Sequence, residues 1–383
     1  MSNSEKNELY EEWRQQVRRF AEEKVKPYAA LVDHENRAPE EAFEAARELG
    51  LQGVPFPEEY GGAEGDLMLQ VITTEELARV CASSSLTISS SWLFSMVIEH
   101  GNDELKELVH DVASGEKKAA WAMTEPQPAS DLMDIRGNAK KVDGGWVINA
   151  NKRFITNGGW ADWYLVMVRT GSNDDRSFGV FLVNKDDKGI SFGPKDDKMG
   201  QRGSPTSDVI LEECFVPDFR CLGDPQKGLL YMKNHLKTTR LTISALALGI
   251  AQGALDEAVR YTNERVQMGK PIAKFQMIQG MIADMAVKVE SSRALLYKGV
   301  NLSINDEPGV DMFSSMAKIA CCDAAMDVTT DAVQVHGGYG YLKEYPVERM
   351  FRDAKITQIY DGSNQVMRQI VAAELNKAQA AKL

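Results

Sequence analysis

The stretch "TTRLTISALALGIAQGALDEAVRYTNERV", Thr238–Val266, repeats apolar residues at helical spacing without a break, and two more such runs follow it. These are "QMIQGMIADMAVKVESSRALLYKGVNL" (276–302) and "MFSSMAKIACCDAAMDVTTDAVQV" (312–335). Long helices in series with short connections predict an antiparallel bundle. Upstream the period changes. "GWVINANKRFITNG" (145–158), "DWYLVMVRT" (162–170), "FGVFLVN" (178–184) and "SDVILEECFVP" (207–217) are short alternating or β-branched runs split by Gly, Asn and Asp turns, the pattern of strands. Further upstream, Leu9, Trp13, Val17 and Phe20 mark a helix that Pro27 is expected to stop. The run "LMLQVITTEELARVCASSSLTISSSWLFSMVIEHG" (67–101) reads as one long helical stretch, apolar on more than one side and therefore interior. The expected order is helical (1–118), β (119–226) and helical (227–383), with no internal repeat.

A chain of 383 residues is too long for one small core and suits an enzyme. Its formal charge of −12 argues against a general nucleic-acid binder, which needs excess Lys and Arg to displace counterions. No apolar run approaches the roughly 20 residues of a membrane span. The start "MSNSEKNELYEEW" lacks the basic and apolar segments of a signal peptide, so a cytoplasmic location is expected. Cys81, Cys214, Cys221, Cys321 and Cys322 form no C-x-x-C pair and read as reduced, mostly buried thiols. The histidines lie far apart with no H-E-x-x-H pattern, and no metal is expected.

In "QIYDGSNQ" (358–365) a lone carboxylate, Asp361, stands between a tyrosine and a glycine, readable as a turn residue or as a base. The company it keeps decides between the two. At "AMTEPQPASD" (122–131), "NKRFITNGGWADWY" (151–164), "NERVQMGKPI" (263–272) and "QVHGGYGYLKEYPVERMFRDAKITQIYDGSNQVMRQIVA" (334–372) the chain resembles the acyl-CoA dehydrogenase family, over essentially its whole length. The resemblance implies an N-terminal α-helical domain, a middle β-barrel-like domain and a C-terminal four-helix bundle. It also implies non-covalent FAD, an acyl-CoA substrate, an electron-transfer flavoprotein as partner, and a homotetramer or dimer whose neighbouring subunit completes each cofactor site.

The chemistry so implied removes a proton beside a thioester carbonyl while a hydride leaves the next carbon for flavin N5, which calls for a positioned base and donors at the carbonyl oxygen. Asp361 stands where the family usually has a catalytic Glu, with its backbone N–H as one oxyanion donor and a flavin ribityl hydroxyl as the other. Asp is shorter by about 1.5 Å of reach, so either the site is rebuilt around the shorter base or the substrate is not a plain straight-chain thioester, which leaves room for a compact, branched or alicyclic acyl group. Where some members carry the base earlier, this chain has Thr239 in "TTRL".

By the same resemblance Met123, Thr124 and Ser130 would meet the flavin ring and pyrophosphate. Gln127, Pro128 and Ala129 replace the family's glycine-rich turn there. Phe154 would flank the isoalloxazine and Thr156 would place a hydroxyl near N5. Arg265 and Gln267 would reach the FAD pyrophosphate of the adjoining subunit, Gln334, Gly337 and Gly338 its adenine side, and Ser363 and Gln365 its phosphate and adenosine portions. Ser89, Trp92, Ser130, Arg240, Tyr360 and Gly362 are the expected acyl-CoA contacts, whereas His336, Arg349, Arg352 and Asp353 are expected to be structural or interfacial. Two other readings stay open: a nitroalkane oxidase-like enzyme, in which Arg368 would accompany the aspartate base, and a non-catalytic member that binds FAD or acyl-CoA, for which the altered turn at 127–130 is the main support.

Overall fold

The computed structural model describes residues 3–127, 131–171 and 176–380. The chain opens with helices α1 (Asn3–Phe20), α2 (Lys26–Glu35), α3 (Glu40–Glu48), α4 (Leu67–Ala78), α5 (Ala82–Ser89), α6 (Ser95–His100), α7 (Asp103–Glu107) and α8 (Val109–Ala113). Pro27 does not stop the first helix. The chain passes from α1 through a π-helical turn, Ala21–Val25, into α2, where Pro27 occupies the first turn. A first-turn N–H has no intrahelical acceptor, so a proline is tolerated there, and the wider π turn absorbs the irregularity. The expected single helix over 67–101 is likewise broken, with Cys81 extended (φ −156°) between α4 and α5 and a 3₁₀ segment, Ser90–Phe94, before α6. Its Ser and Thr hydroxyls compete for backbone carbonyls: Thr87 Oγ1 donates to Ser83 O at 3.0 Å, and Ser85 Oγ donates across the fold-back to Thr74 O at 2.9 Å.

The middle of the chain forms one seven-stranded sheet from β1 (Ala119–Ala122), β2 (Asn138–Val142), β3 (Gly145–Thr156), β4 (Trp163–Arg169), β5 (Phe178–Asn184), β6 (Ile190–Phe192) and β7 (Thr206–Pro217), ordered β1-β4-β2-β3-β7-β6 with β5 paired to β4. Both faces of β4 are buried. Trp163, Leu165 and Met167 join the core of the N-terminal helices, while Tyr164, Val166 and Val168 pack inside the sheet.

The C-terminal bundle is built from α9 (Gly228–Glu264), α10 (Gln276–Ile304) and α11 (Val310–His336), with α12 (Pro346–Lys355) leading to a last helix, α13 (Asn364–Ala380). A short hairpin of β8 (Val266–Gln267) and β9 (Lys270–Pro271) separates α9 from α10. Arg352, which also bonds Glu348 one turn earlier in α12, ties that helix to Asp33 of α2 with two bonds at 2.7 and 2.9 Å, and Arg349 donates to Val80 O at 3.0 Å.

The N-terminal helices and the bundle share a core, in which Leu67, Val71 and Ile72 of α4 pack among residues of α9, α10 and α11. Two glycines of α9 permit that approach. A Cβ on Gly249 would stand 2.3 Å from Glu75 O, and one on Gly253 would stand 2.0 Å from Arg79 O. A Cβ on Gly280 of α10, in contrast, would meet nothing within 4 Å. Removing a helical glycine ordinarily adds about 1 kcal/mol, so Gly280→Ala should raise the thermal midpoint. Gly253→Ala should lower it, because overpacking costs about 1–3 kcal/mol; a gain from both substitutions would contradict this packing.

Candidate active site

Asp361 and Gly362 lie in consecutive left-handed conformations, φ 49° and 89°. Asp is among the few non-glycine residues that accept this region readily, so the turn and the functional group it carries are one feature. Helix α11 holds the turn. Lys318, fully buried, donates from Nζ to Gly362 O at 2.7 Å and to Asn364 Oδ1 at 3.2 Å. One turn later, Asp323 Oδ1 accepts from Gln358 Nε2 at 2.6 Å and from Asn364 Nδ2 at 2.8 Å, so the two flanks of the turn are fixed to a single carboxylate.

Burial pushes the Asp361 carboxyl above the ordinary carboxylate range, opposed by the nearby charges of Lys318 and Arg240. Burial in turn pulls Lys318 below the usual lysine range. Arg240 is itself buried, reaches Asp311 at 3.4 Å through Nη1, and keeps an Nε with no acceptor among the described residues. The Asp361 backbone N–H also has no acceptor among the described residues. The site therefore combines a carboxylate of raised basicity, two cations and unclaimed donors. Arg368 is not one of those cations: its guanidinium bonds Asp323 Oδ2 at 2.8 Å and Asn364 O at 3.1 Å.

A second cluster forms at the end of β3. The β3–β7 register slips between Lys152 and Ile155, leaving a bulge at Arg153 and Phe154. Phe154 takes φ 59° and is 63% exposed, since a bulge redirects a side chain that regular pleating would bury. The Arg153 N–H freed by the bulge donates to Thr124 O at 2.8 Å. Beside it Lys152, fully buried, bonds Glu125 Oε1 at 2.7 Å and Met123 O at 3.1 Å. Glu125 also accepts from the N–H groups of Arg136 (2.7 Å) and Gly137 (3.0 Å). Burial draws the Lys152 ammonium down to about 8. This pair, whose only mark in the sequence is two charges in apolar company, helps hold Met123 and Thr124 against Lys152 and Arg153 at the bulge. Ser130, with Pro128 and Ala129, lies outside the described residues.

A third group surrounds an open cavity of about 510 Å³ whose lining includes Arg265, Gln267, His336, Gly337, Gly338 and Tyr339. The Arg265 guanidinium lies 5.1 Å from the Tyr339 ring centre, and no atom stands within 4 Å of where a Cβ would sit on Gly337 or Gly338. His336 stacks on Tyr261 at 4.1 Å and fixes Nδ1 on Ala332 O at 2.8 Å, while its buried Nε2 has no partner among the described residues. Backbone open to close approach, a planar cation and an orphaned ring nitrogen fit one end of a phosphate-bearing dinucleotide such as FAD. The exposed, bulge-presented Phe154 fits its flat ring.

The remaining expected contacts separate. Gln334 is exposed and does not line the cavity. Ser363 Oγ accepts from Val366 N at 3.3 Å at the start of α13, and Gln365 is exposed in the first turn of that helix. Tyr360 and Gly362 adjoin Asp361. Ser89 gives its hydroxyl hydrogen to Ser85 O at 2.9 Å. Trp92 packs in the N-terminal core: it is 6% exposed, and its ring N–H donates to Leu51 O at 3.3 Å. The neighbour that does reach the β3 end is Ser90, whose Oγ accepts from Asn157 Nδ2 at 2.6 Å.

Among the described residues no helix is long and apolar enough to cross a membrane. Family models for the N-terminal, middle and C-terminal domains of acyl-CoA dehydrogenase match residues 7–116, 120–214 and 226–376. A Mycobacterium tuberculosis protein named as a probable acyl-CoA dehydrogenase, FadE25, is 43% identical over 371 residues, covering 96% of this chain and 95% of its own. Cyclohexane-1-carbonyl-CoA dehydrogenase of Geobacter metallireducens is 40% identical over 369 residues, covering 95% of this chain and 96% of its own. The butyryl-CoA dehydrogenase structure from Megasphaera elsdenii superposes with a TM-score of 0.92 at 35% identity, covering 98% of each chain. With three successive domain matches, relatives spanning nearly the full length and the same three-part fold, the chain belongs to the acyl-CoA dehydrogenase family of flavoprotein oxidoreductases.

Proposed function

We propose that the protein catalyses FAD-dependent α,β-dehydrogenation of an acyl-CoA thioester, with Asp361 as the base. The observation that carries this reading is the left-handed Asp361 turn clasped by Lys318, with the carboxyl's basicity raised by desolvation and opposed by the charges of Lys318 and Arg240. FAD, when bound, supplies the acceptor for the hydride that leaves C3 of the acyl chain. Met123, Thr124, Phe154 and Thr156 would hold its ring. Arg265, Gln267, Gly337 and Gly338 would hold its phosphate and adenosine end, contributed by a neighbouring copy in a homotetramer or dimer.

Asp361 takes the proton from C2. The thioester carbonyl needs a donor as charge develops on its oxygen, and the unclaimed Asp361 N–H is suited to that place. The two cations offset the cost of an ionised carboxylate away from water before substrate arrives. Arg368, bound to Asp323, gives the nitroalkane reading no support.

A base one methylene short favours an acyl group whose C2–H can come closer, and the likeness to a cyclohexane-1-carbonyl-CoA dehydrogenase supports a compact, branched or alicyclic substrate. Electrons would then pass to an electron-transfer flavoprotein in the cytoplasm.

Anaerobic mixing with straight-chain, branched and alicyclic acyl-CoAs should bleach the oxidised flavin band fastest with the last two. Asp361→Asn should keep its flavin and slow bleaching on the order of a thousandfold, within the range for loss of a general base; bleaching at the parent rate would remove Asp361 from the mechanism. Lys318→Met takes a positive charge from beside the carboxylate, so the Asp361 pKa should rise further. Activity is lost as pH falls and the carboxylate protonates, so the acid limb of kcat/KM should move to higher pH in this variant. An unmoved limb would show that Lys318 does not act on the base.

A further inference from the structure

The segment joining β6 to β7 touches both halves of the site. At one end Thr206 pairs with Thr156 in the β3–β7 ladder, and Pro205 O accepts from Asn157 N at 2.7 Å. At the other end Gly200 lies so close to α12 that a Cβ there would stand 2.2 Å from Arg352 O. Between them Gln201, 2% exposed and at φ 45°, is bound three times to the segment that carries Asp361. Its N–H donates to Asp353 Oδ1, and its Nε2 donates to Asp353 O at 3.3 Å and to Tyr360 OH at 3.2 Å. A backbone carbonyl can only accept, which fixes the orientation of the Gln201 amide and commits both of its hydrogens.

We propose that Gln201 is a positioning residue for the reaction: through Tyr360 it sets the Asp361 carboxylate relative to the end of β3, where Phe154 and Thr156 stand. This rests on the reading of Asp361 as the base. The geometric reason is that α11 fixes the Asp361 turn only within the bundle. The bundle does not by itself define where the turn lies relative to the sheet. Gln201 is the side chain that joins the residue next to the base to a loop whose far end is in register with Thr156. A left-handed conformation at a non-glycine residue is held only where its surroundings over-determine it, and here the surroundings are the Asp353 carboxylate, the Asp353 carbonyl and the Tyr360 hydroxyl.

Gln201→Met keeps the length and the backbone clasp on Asp353 while removing both amide donors; Tyr360→Phe removes the acceptor alone. In the flavin-loaded enzyme, each should slow anaerobic flavin reduction at saturating acyl-CoA by about 10- to 100-fold, the scale of a misplacement of roughly 1 Å. The acyl-CoA concentration for half-saturation and the flavin content should change less than about threefold, and the double variant should be no slower than Gln201→Met alone, as groups acting through one bond are not additive. Parent rates in either single variant, a loss confined to substrate binding, or additive losses in the double variant would overturn the proposal. If Gln201→Met fails to hold flavin, Tyr360→Phe decides, since it leaves every Gln201 bond to Asp353 in place. Asp361→Asn measured alongside separates the two levels. A fast Asp361→Asn enzyme defeats the reading of the base, whereas a slow one beside parent-rate Gln201→Met defeats only the positioning role.

Discussion

The Asp361–Gly362 turn, two adjacent residues at positive φ, is clasped by side chains supplied from outside it. Helix α11 supplies them from positions 318 and 323. Lys318 neutralises the end of the turn and Asp323 bridges its flanks. Each is a charge placed in or beside an apolar helix bundle, where an unpaired charge would be costly. The arrangement persists because each partner satisfies the other, so the turn is as rigid as the bundle that carries it.

The same logic recurs on the sheet side. Glu125 and Lys152 are both buried, and each also bonds backbone groups of the loop after β1. A buried pair is weak evidence for stability, because its desolvation roughly cancels its attraction. What it does provide is register: the loop carrying Met123 and Thr124 has one way to lie against the β3 bulge. The candidate site is thus assembled from three rigid attachments, one on α11, one on the bulge and one on the loop at Gln201 that spans them.

Much of this is legible in the sequence where periodicity is long or alternation clean. The three bundle helices and the strands β3, β4, β5 and β7 fall where their patterns place them. The strands that escape, β1, β2, β6, β8 and β9, are two to five residues long, too short for a period to emerge. Pro27 misleads because a proline in a first helical turn carries the same letter as one that breaks a helix. Asp361, Phe154, Arg265 and the Gly337–Gly338 pair stand out through motif company, yet no motif conveys that Phe154 sits on a bulge. Lys318 leaves a faint signal, a lone lysine within "MAKIACC", and Gln201 leaves none, since its partners lie 152 and 159 residues away. Long-range polar clasps are the part of a site that local pattern cannot carry.

The aspartate at position 361 also has a conformational side. The left-handed region is several-fold richer in Asp and Asn than in longer residues, whose side chains gain nothing from local hydrogen bonding there. On the proposed reading, a shorter base therefore trades reach for a turn that is less strained. The lost reach has to be recovered between carboxylate and substrate, because Lys318, Asp323 and Gln201 leave the turn little freedom to advance. Recovery from the substrate side means an acyl carbon that projects towards the base, as a branch point or ring carbon does and a freely rotating straight chain does not. Selectivity would then arise from the fixed position of one carboxylate and the shape of the carbon presented to it.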